Sequence, residues 1–198
     1  MLYLIYKVKE GIMNMKWEEL PKFIEDGNYE ITLRLPELVN KIETYKVSKD
    51  KSVVEYNLDM NPDFQRGHVW MEEQQIKYIE TLLMGGAKNA RVIYLNCPDW
   101  SFNNENNYHD FVCIDGLQRY TAIKRFINNE IKVFGCYLNE IEDKDKMLRR
   151  VEMRLNINSL KSKKDVLKWY LQINDGGTPH TKEEIERVKK LYNEELGK

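Results

Sequence analysis

Residues 115–119 read Asp-Gly-Leu-Gln-Arg, and they lie between an apolar run at 111–114 and a helical pattern at 120–128. A strand that stops at an Asp-Gly pair and turns directly into a helix is a good place to hold an anion. Glycine lets the backbone approach closely, and the first N–H groups of the helix point outward. Arg119 adds a planar fork of donors that suits phosphate oxygens. The pattern therefore predicts a strand–turn–helix unit that can bind phosphate.

The same five residues also fit an ordinary helix start. Asp115 at the N-cap and Gln118 three residues later would form a capping box, which occurs in helices that bind no ligand. The turn by itself leaves both interpretations open, so the rest of the chain has to decide between them.

Charge and cysteine content narrow the classes of function. Lys plus Arg is 31 and Asp plus Glu is 32, so the net charge is −1. Proteins held on DNA mainly by phosphate contacts usually carry a basic surplus of residues, and the net charge of this chain does not support DNA as a partner beyond a local patch.

The three cysteines form no Cys-x-x-Cys pair and the three histidines fit no metal-ligand spacing, which indicates reduced thiols in a cytoplasmic protein. No apolar stretch approaches the roughly 20 residues of a membrane span, so no membrane association is expected.

Hydrophobic periodicity predicts short strands mixed with helices. The predicted strands are 29–35, 91–96, 111–114 and 151–157. The predicted helices are 17–26, 36–45, 72–84, 117–128, one capped at Ser162 and one opening at Thr181. We expect the strand at 111–114 to be central, 46–51 to be a solvated connection and 98–109 to be a surface loop. Without a regular βαβ rhythm, this order predicts an α+β fold.

The chain divides into three parts on this pattern. Residues 16–160 are expected to form the α+β core, and residues 161–198 a C-terminal helical cap packed on that core. Residues 1–15 are expected to be a non-native or disordered leader. The run Lys9-Glu10-Gly11 before Met13 and Met15 looks like a translated ribosome-binding site, so the native start is predicted at one of these methionines.

Three stretches together carry a family resemblance. They are 61–66 with Val69-Trp70, 111–122 with Phe126, and 170–179 followed by Thr181 and Glu184-Ile185. Their order and spacing resemble the N-terminal domain of GmrSD-type modification-dependent restriction systems. That domain belongs to the ParB/sulfiredoxin-like superfamily, whose signature is Asp-Gly-Gln-Gln-Arg. The resemblance covers roughly residues 57–191.

The resemblance implies a small mixed sheet with surrounding helices, and it implies nucleotide handling. In GmrSD-like proteins this domain is regarded as a module that binds and hydrolyses an NTP and licenses a nuclease. In ParB relatives the equivalent turn grips CTP, and in sulfiredoxin it holds ATP. The implied partners are therefore a nucleoside triphosphate with Mg²⁺ and a protein such as a nuclease or restriction component.

Carried over by position, the motif residues are Asp115, Gly116, Gln118 and Arg119. Arg119 would neutralise the triphosphate, and Asp115 would hold Mg²⁺ or orient the attacking water. Gln118 would bond a phosphate oxygen or that water, and Gly116 would let the backbone reach the phosphates.

The earlier loop is expected to supply a second arm of the site. Gln65 and Arg66 are its nucleotide-binding candidates, with Arg66 adding a second cation on the phosphates. Asn174 is a further nucleotide-binding candidate, although a tight connection between two helices explains it more simply. Trp70 is expected to be a core or hinge anchor rather than a base-stacking platform.

The chain departs from the family pattern at two points. Leu117 stands where the family usually has a polar residue. Its place in the apolar stripe 117/120/123/127 favours a core role, which would make the change harmless. The sequence also contains no His-Asn-His arrangement, so a nuclease of that type is not expected, and the chain resembles a stand-alone copy of the domain.

The leading prediction is a cytoplasmic nucleotide-binding protein that takes NTP with Mg²⁺, with NTP hydrolysis left open, in a phage or mobile-element setting. One alternative is a non-enzymatic DNA- or partner-binding adaptor of the same fold. Another is a regulator of a restriction complex, contacting its partner through the loop at 98–108.

Overall fold

The computed structural model describes residues 23–25, 27, 29–44, 46–49, 54–65, 67, 69–100, 108–174 and 182–197. They fall into two compact units, one within Asp26–Ser162 and the other made of Lys163–Lys198 with the segment up to Glu25. The predicted leader at 1–15 lies outside the described residues. No helix among those that the structure describes is long and apolar enough to cross a membrane.

The larger unit is built on a four-stranded mixed sheet in the order β1-β6-β4-β5. Its strands are β1 (Tyr29–Arg34), β4 (Val92–Asn96), β5 (Val112–Asp115) and β6 (Glu152–Asn158). β6 pairs antiparallel with β1 and parallel with β4, and β4 pairs antiparallel with β5. The predicted strands are all present, and the predicted α+β class is confirmed.

Three helices of the larger unit share one core with the sheet. They are α1 (Leu35–Thr44), α2 (Glu72–Leu83) and α3 (Leu117–Ile127), and a short α4 (Lys144–Leu148) precedes β6. Fully buried members of that core include Leu35, Leu38, Ile79, Leu82, Ile93, Leu95, Ile123, Phe126, Leu155 and Ile157. Because the alternation in β6 places every second residue on one face, its apolar residues all reach this core.

The predicted solvated connection at 46–51 is wrong. Residues Lys46–Lys49 form β2, which pairs antiparallel with β3 (Val54–Asn57) in a separate two-stranded sheet. Charged residues are compatible with such a strand because backbone groups make the pairing. The partner Val54–Asn57 alternates apolar and polar residues, a strand pattern that the predicted elements left out.

The strand that leads into the Asp-Gly turn lies at the edge of the sheet, so its predicted central place is wrong. Its outer edge is covered instead by a loop. The backbone N–H of Asp59 donates to Phe111 O at 2.9 Å, and Asp59 O accepts from Cys113 N at 2.8 Å. An edge strand whose outer edge is covered in this way is as rich in apolar residues as a central strand, so the sequence does not distinguish the two.

The buried face of α3 differs from the predicted stripe by part of a turn. Tyr120 and Ile123 are buried as predicted, whereas Leu117 and Ile127 are half-buried. Ala122 and Phe126 are buried in addition. Leu117, which replaces the polar residue usual in the family, is half-buried and therefore packs only partly into the core.

The smaller unit contains α5 (Lys163–Asn174) and α6 (Lys182–Leu196), which contact each other. The fully buried side chains of α5 include Val166, Leu167, Trp169 and Tyr170. The residues at 23–25, within the predicted helix 17–26, are not helical. Ile24 N bonds to Gln172 Oε1 at 3.1 Å, so its backbone donor is used by a side chain of α5.

Candidate functional site

The turn between β5 and α3 depends on glycine at position 116. Gly116 has a φ of +125° and is the N-cap of α3. A Cβ here would lie 2.8 Å from Ile93 Cγ1 and 3.1 Å from Ile93 Cα. The backbone therefore needs glycine both for its dihedral angle and for its close approach to β4.

The capping-box interpretation of the motif is wrong. Because α3 begins at Leu117, Asp115 lies one residue before the N-cap, and Gln118 is only the second helical residue. No side chain caps this helix start. The positive φ of Gly116 shifts the helix by one residue from the start that the sequence pattern indicates, and this frees the Asp115 carboxylate for another partner.

That partner is Arg119. Its Nη2 lies 2.6 Å from Asp115 Oδ2, and the two side chains are 17% and 32% exposed respectively. Burial disfavours the charged guanidinium, but the adjacent Asp115 carboxylate outweighs this, so the pKa of Arg119 is raised and the group stays protonated. The pair is a fixed cation beside a carboxylate that water can still reach.

One donor of Arg119 is left over. Its Nε is buried and has no hydrogen-bond partner among the residues that the structure describes. Since buried polar groups are almost always paired, such a donor points to an acceptor from outside the described residues.

A β-bulge lies just before the turn. Asp115 is in register with Tyr94 while Cys113 is in register with Leu95, so the pairing slips between these positions. Bulges re-aim side chains at the ends of strands and are frequent beside binding sites. Burial raises the pKa of the fully buried Cys113 thiol well above its ordinary value, so this cysteine stays neutral and is unsuited to act as a nucleophile.

Gln118 holds the preceding loop. Its Oε1 accepts from the backbone N–H groups of Val69 at 3.0 Å and Trp70 at 3.1 Å. Its Nε2 donates to Gly67 O at 2.7 Å. Only the second N–H of Nε2 is left for a further acceptor. The geometry thus gives Gln118 a positioning function, and the predicted bond to a phosphate oxygen stays a prediction.

Gln65 fixes the other end of the same loop to the sheet. Its Nε2 donates to the carbonyl oxygens of Cys113 and Ile114, at 3.0 Å each. These are the last two residues before Asp115, so the loop is tied to the strand that carries the motif. Arg66 follows Gln65 directly in the sequence but lies outside the described residues, so its nucleotide-binding role stays a prediction.

Gln75 is a residue of this region that the sequence analysis missed. It is 2% exposed, its Nε2 donates to Trp70 O at 3.0 Å, and its Oε1 accepts from Arg125 Nη1 at 2.9 Å. A glutamine in the buried stripe of α2 was the available signal. Trp70 packs its ring edge-on against Tyr78 at 5.4 Å and contacts the core, which confirms its role as an anchor.

We expect Gln118→Ala to lower the free energy of unfolding by about 1–2 kcal/mol, because it leaves two N–H groups and one carbonyl of the loop without partners. Gln74→Ala is the matched control, since Gln74 accepts a single bond from the exposed Met71 N. Urea unfolding gives the stabilities, and amide exchange at Val69 and Trp70 reports the loop. Equal effects of the two variants would contradict the positioning function.

Asn174 lies at the end of α5, in the smaller unit. Its Nδ2 donates to Tyr170 O at 2.7 Å within the same helix. Its predicted nucleotide contact stays a prediction, and the adjoining residues 175–180 are outside the described part of the chain.

The residues present fit a Mg²⁺ ion bound mainly through its ligand. Among the described residues, no group of three or more His, Cys, Asp or Glu side chains could form a metal cage. Mg²⁺ in nucleotide sites commonly takes one or two protein carboxylates together with phosphate oxygens and waters. Asp115 meets that need, because Oδ2 is bonded to Arg119 and the partly exposed carboxylate still offers Oδ1.

Comparison with known proteins bears on this site. Residues 35–156 match the family model described as "GmrSD restriction endonuclease, N-terminal domain". The matched range includes the loop, the Asp-Gly turn, β2 to β5 and the first five residues of β6, and it begins directly after β1. No curated protein and no solved structure matches the chain significantly. Because the match extends over more than half of the sequence, the chain belongs to the family of GmrSD restriction endonuclease N-terminal domains.

Proposed function

We propose that this protein binds a nucleoside triphosphate with Mg²⁺ at the turn formed by Asp115, Gly116 and Arg119. Membership of the GmrSD N-terminal domain family supports a restriction context for that binding. The observation that carries the proposal is the buried Nε of Arg119, a cationic donor that has no acceptor within the part of the chain that the structure describes.

The energetics favour an anionic ligand at this donor. A buried donor left without a partner costs about 1–3 kcal/mol, and the cost is larger for a charged group. A phosphate oxygen would remove it with a charge-assisted bond, which is stronger than a neutral one. Helix α3 begins at Leu117, two residues before Arg119, and no side chain caps its N-terminus. Its first backbone N–H groups carry partial positive charge and would face the same anion.

The other residues of the motif take distinct roles in this proposal. Asp115 would give one carboxylate oxygen to Mg²⁺ and keep the other on Arg119. Gln118 and Gln65 would hold the loop in place from both ends, at a fixed distance from the turn. Gly116 allows the tight connection on which this arrangement depends.

Hydrolysis is the finer part of the proposal. A water at the turn would attack the γ-phosphorus, the bond from that phosphorus to the β,γ-bridging oxygen would break, and the products would be the nucleoside diphosphate and inorganic phosphate. Arg119 would stabilise the charge that develops on the transferred phosphoryl oxygens. Release of inorganic phosphate is the measurement that separates hydrolysis from binding alone.

Thermal unfolding with ATP, GTP, CTP and UTP, each with and without Mg²⁺, tests nucleotide binding. A ligand at 100 times its Kd adds about 2.7 kcal/mol to the free energy of unfolding. For a chain of this size that corresponds to a rise in Tm of roughly 5–10 °C. Inorganic tripolyphosphate serves as the probe for recognition without a base. A protein that melts cooperatively and shifts with none of these ligands would refute the proposal and favour a non-nucleotide adaptor.

A further inference from the structure

A groove lies at the C-terminal end of α2, away from the Asp-Gly turn. It has a volume of about 490 Å³ and lies between Leu83-Met84 and the segment 141–151. It shares Ile141 and Lys146 with a second hollow of about 740 Å³ along α4. The N-terminal half of α2 holds Gln75, which reaches the loop beside the motif, so roughly 12–14 Å of helix separates Gln75 from Leu83-Met84.

The groove has a mixed lining of charged and apolar side chains, and its apolar part is open to solvent. Leu83, Met84, Ile141 and Met147 contribute to it, and Met84 is 69% exposed. Methionine side chains are flexible and polarizable, and they are over-used on surfaces that accept the apolar face of a peptide helix.

Positive charge predominates around the apolar lining. Five cationic side chains line the two hollows against three acidic ones, although the whole chain has a net charge of −1. The cations are Arg91, Lys144, Lys146, Arg149 and Arg150. Within the part of the chain that the structure describes, none of the four on and around α4 forms an ion pair. These charges are free to meet an acidic partner.

A strained, exposed aromatic residue lies close to this end of α2. Phe134 has a φ of +51° and is 55% exposed, at the tip of a two-residue turn between Val133 and Cys136. Its N–H donates to Glu80 Oε1 at 3.0 Å, and Glu80 is one helical turn before Met84. A non-glycine residue in the left-handed region costs about 1 kcal/mol or more, and such strain is concentrated at functional surfaces.

We propose that this groove is a docking site for an acidic amphipathic helix of a protein partner. The apolar face of that helix would lie on Met84, Ile141 and Met147, and its Asp or Glu residues would pair with Lys146 and Arg150. The exposed Met84 beside Ile141 and Met147 favours a peptide over nucleic acid, whose recognition rests on phosphate contacts and would not require an apolar patch. The docking site is independent of nucleotide binding at the Asp-Gly turn.

Selection from a random 16-residue phage-displayed peptide library tests the proposal. The full chain is the target, and the Met84→Asp/Lys146→Glu double variant is used for counter-selection. The enriched peptides should carry net negative charge and apolar residues three and four positions apart. In fluorescence anisotropy, Met84→Asp and Lys146→Glu should each weaken their binding at least tenfold.

Two control variants match these substitutions outside the groove. Met71→Asp changes a methionine that is 74% exposed at the other end of α2, and Lys77→Glu reverses an exposed charge on the same helix. Both should leave peptide affinity within about twofold. A fluorescein-labelled DNA duplex is assayed in parallel.

Three outcomes would overturn the proposal. The first is a selection that enriches no peptides, or basic ones. The second is peptide binding that survives Met84→Asp or falls equally with Met71→Asp. The third is DNA binding that Lys146→Glu removes and Met84→Asp does not, which would make the surface a nucleic-acid site.

Discussion

Replacement of Gly116 by alanine should lower the free energy of unfolding by about 3 kcal/mol or more. The φ of +125° is strained for any residue with a Cβ, which costs about 1–3 kcal/mol by itself. The added methyl would also lie 2.8 Å and 2.9 Å from the two γ-carbons of Ile93, and overpacking of this kind costs a further 1–3 kcal/mol. Urea unfolding followed by tryptophan fluorescence measures the loss.

Gly85→Ala separates the two contributions. Gly85 also has a positive φ, of +88°, but a Cβ there would meet nothing within 4 Å. This variant should therefore lose only the backbone part, about 1–2 kcal/mol. If Gly116→Ala were no worse than Gly85→Ala, the close approach of the turn to β4 would not contribute to stability as argued.

Replacement of Arg119 by alanine should weaken nucleotide binding about 100-fold, which is about 2.7 kcal/mol at 25 °C. The variant removes the unpaired Nε and the charge that the proposal places on the phosphates. Its cost to stability should stay below about 1 kcal/mol, because the Asp115 carboxylate that it leaves behind is a third exposed and water can solvate it. Isothermal titration with the preferred nucleotide measures the affinity.

Two further variants distinguish geometry from charge. Arg119→Lys keeps the positive charge but lacks Nε, so we expect it to recover only part of the lost affinity. Arg125→Ala removes another arginine of α3, one that is bonded to Gln75 and Glu72, and it should leave affinity within about twofold. An Arg125 effect as large as that of Arg119 would indicate a general loss of structure rather than a lost phosphate contact.

The sequence predicts the strand–turn–helix unit well because its local signals agree. An apolar run, an Asp-Gly pair and a periodic stripe all indicate the same boundaries, and β5 and α3 are found within one residue of them. The α+β class and the anchoring of Trp70 are confirmed for the same reason. These features depend on residues that are close in sequence, and hydrophobic periodicity predicts such local structure.

The features that the sequence misses depend on contacts between distant residues. Asp115 and Gly116 are both good N-cap residues, so the pattern cannot tell which one begins α3, and the ion pair with Arg119 follows only from the second choice. The bonds from Gln118 and Gln65 span 48 to 51 residues along the chain. The sequence also fails to predict the edge position of β5, because the loop at Asp59 that covers this strand lies about 50 residues before it in the chain.

The central claim is that Arg119 Nε donates to a phosphate oxygen. Its most direct test is the ¹H–¹⁵N correlation of the arginine Nε–H groups while nucleotide and Mg²⁺ are added, with Arg119 assigned by mutation. We expect the Arg119 resonance to move and to saturate with the Kd found by calorimetry, while the Arg125 resonance stays in place. A bound nucleotide that leaves the Arg119 resonance unmoved would contradict the account.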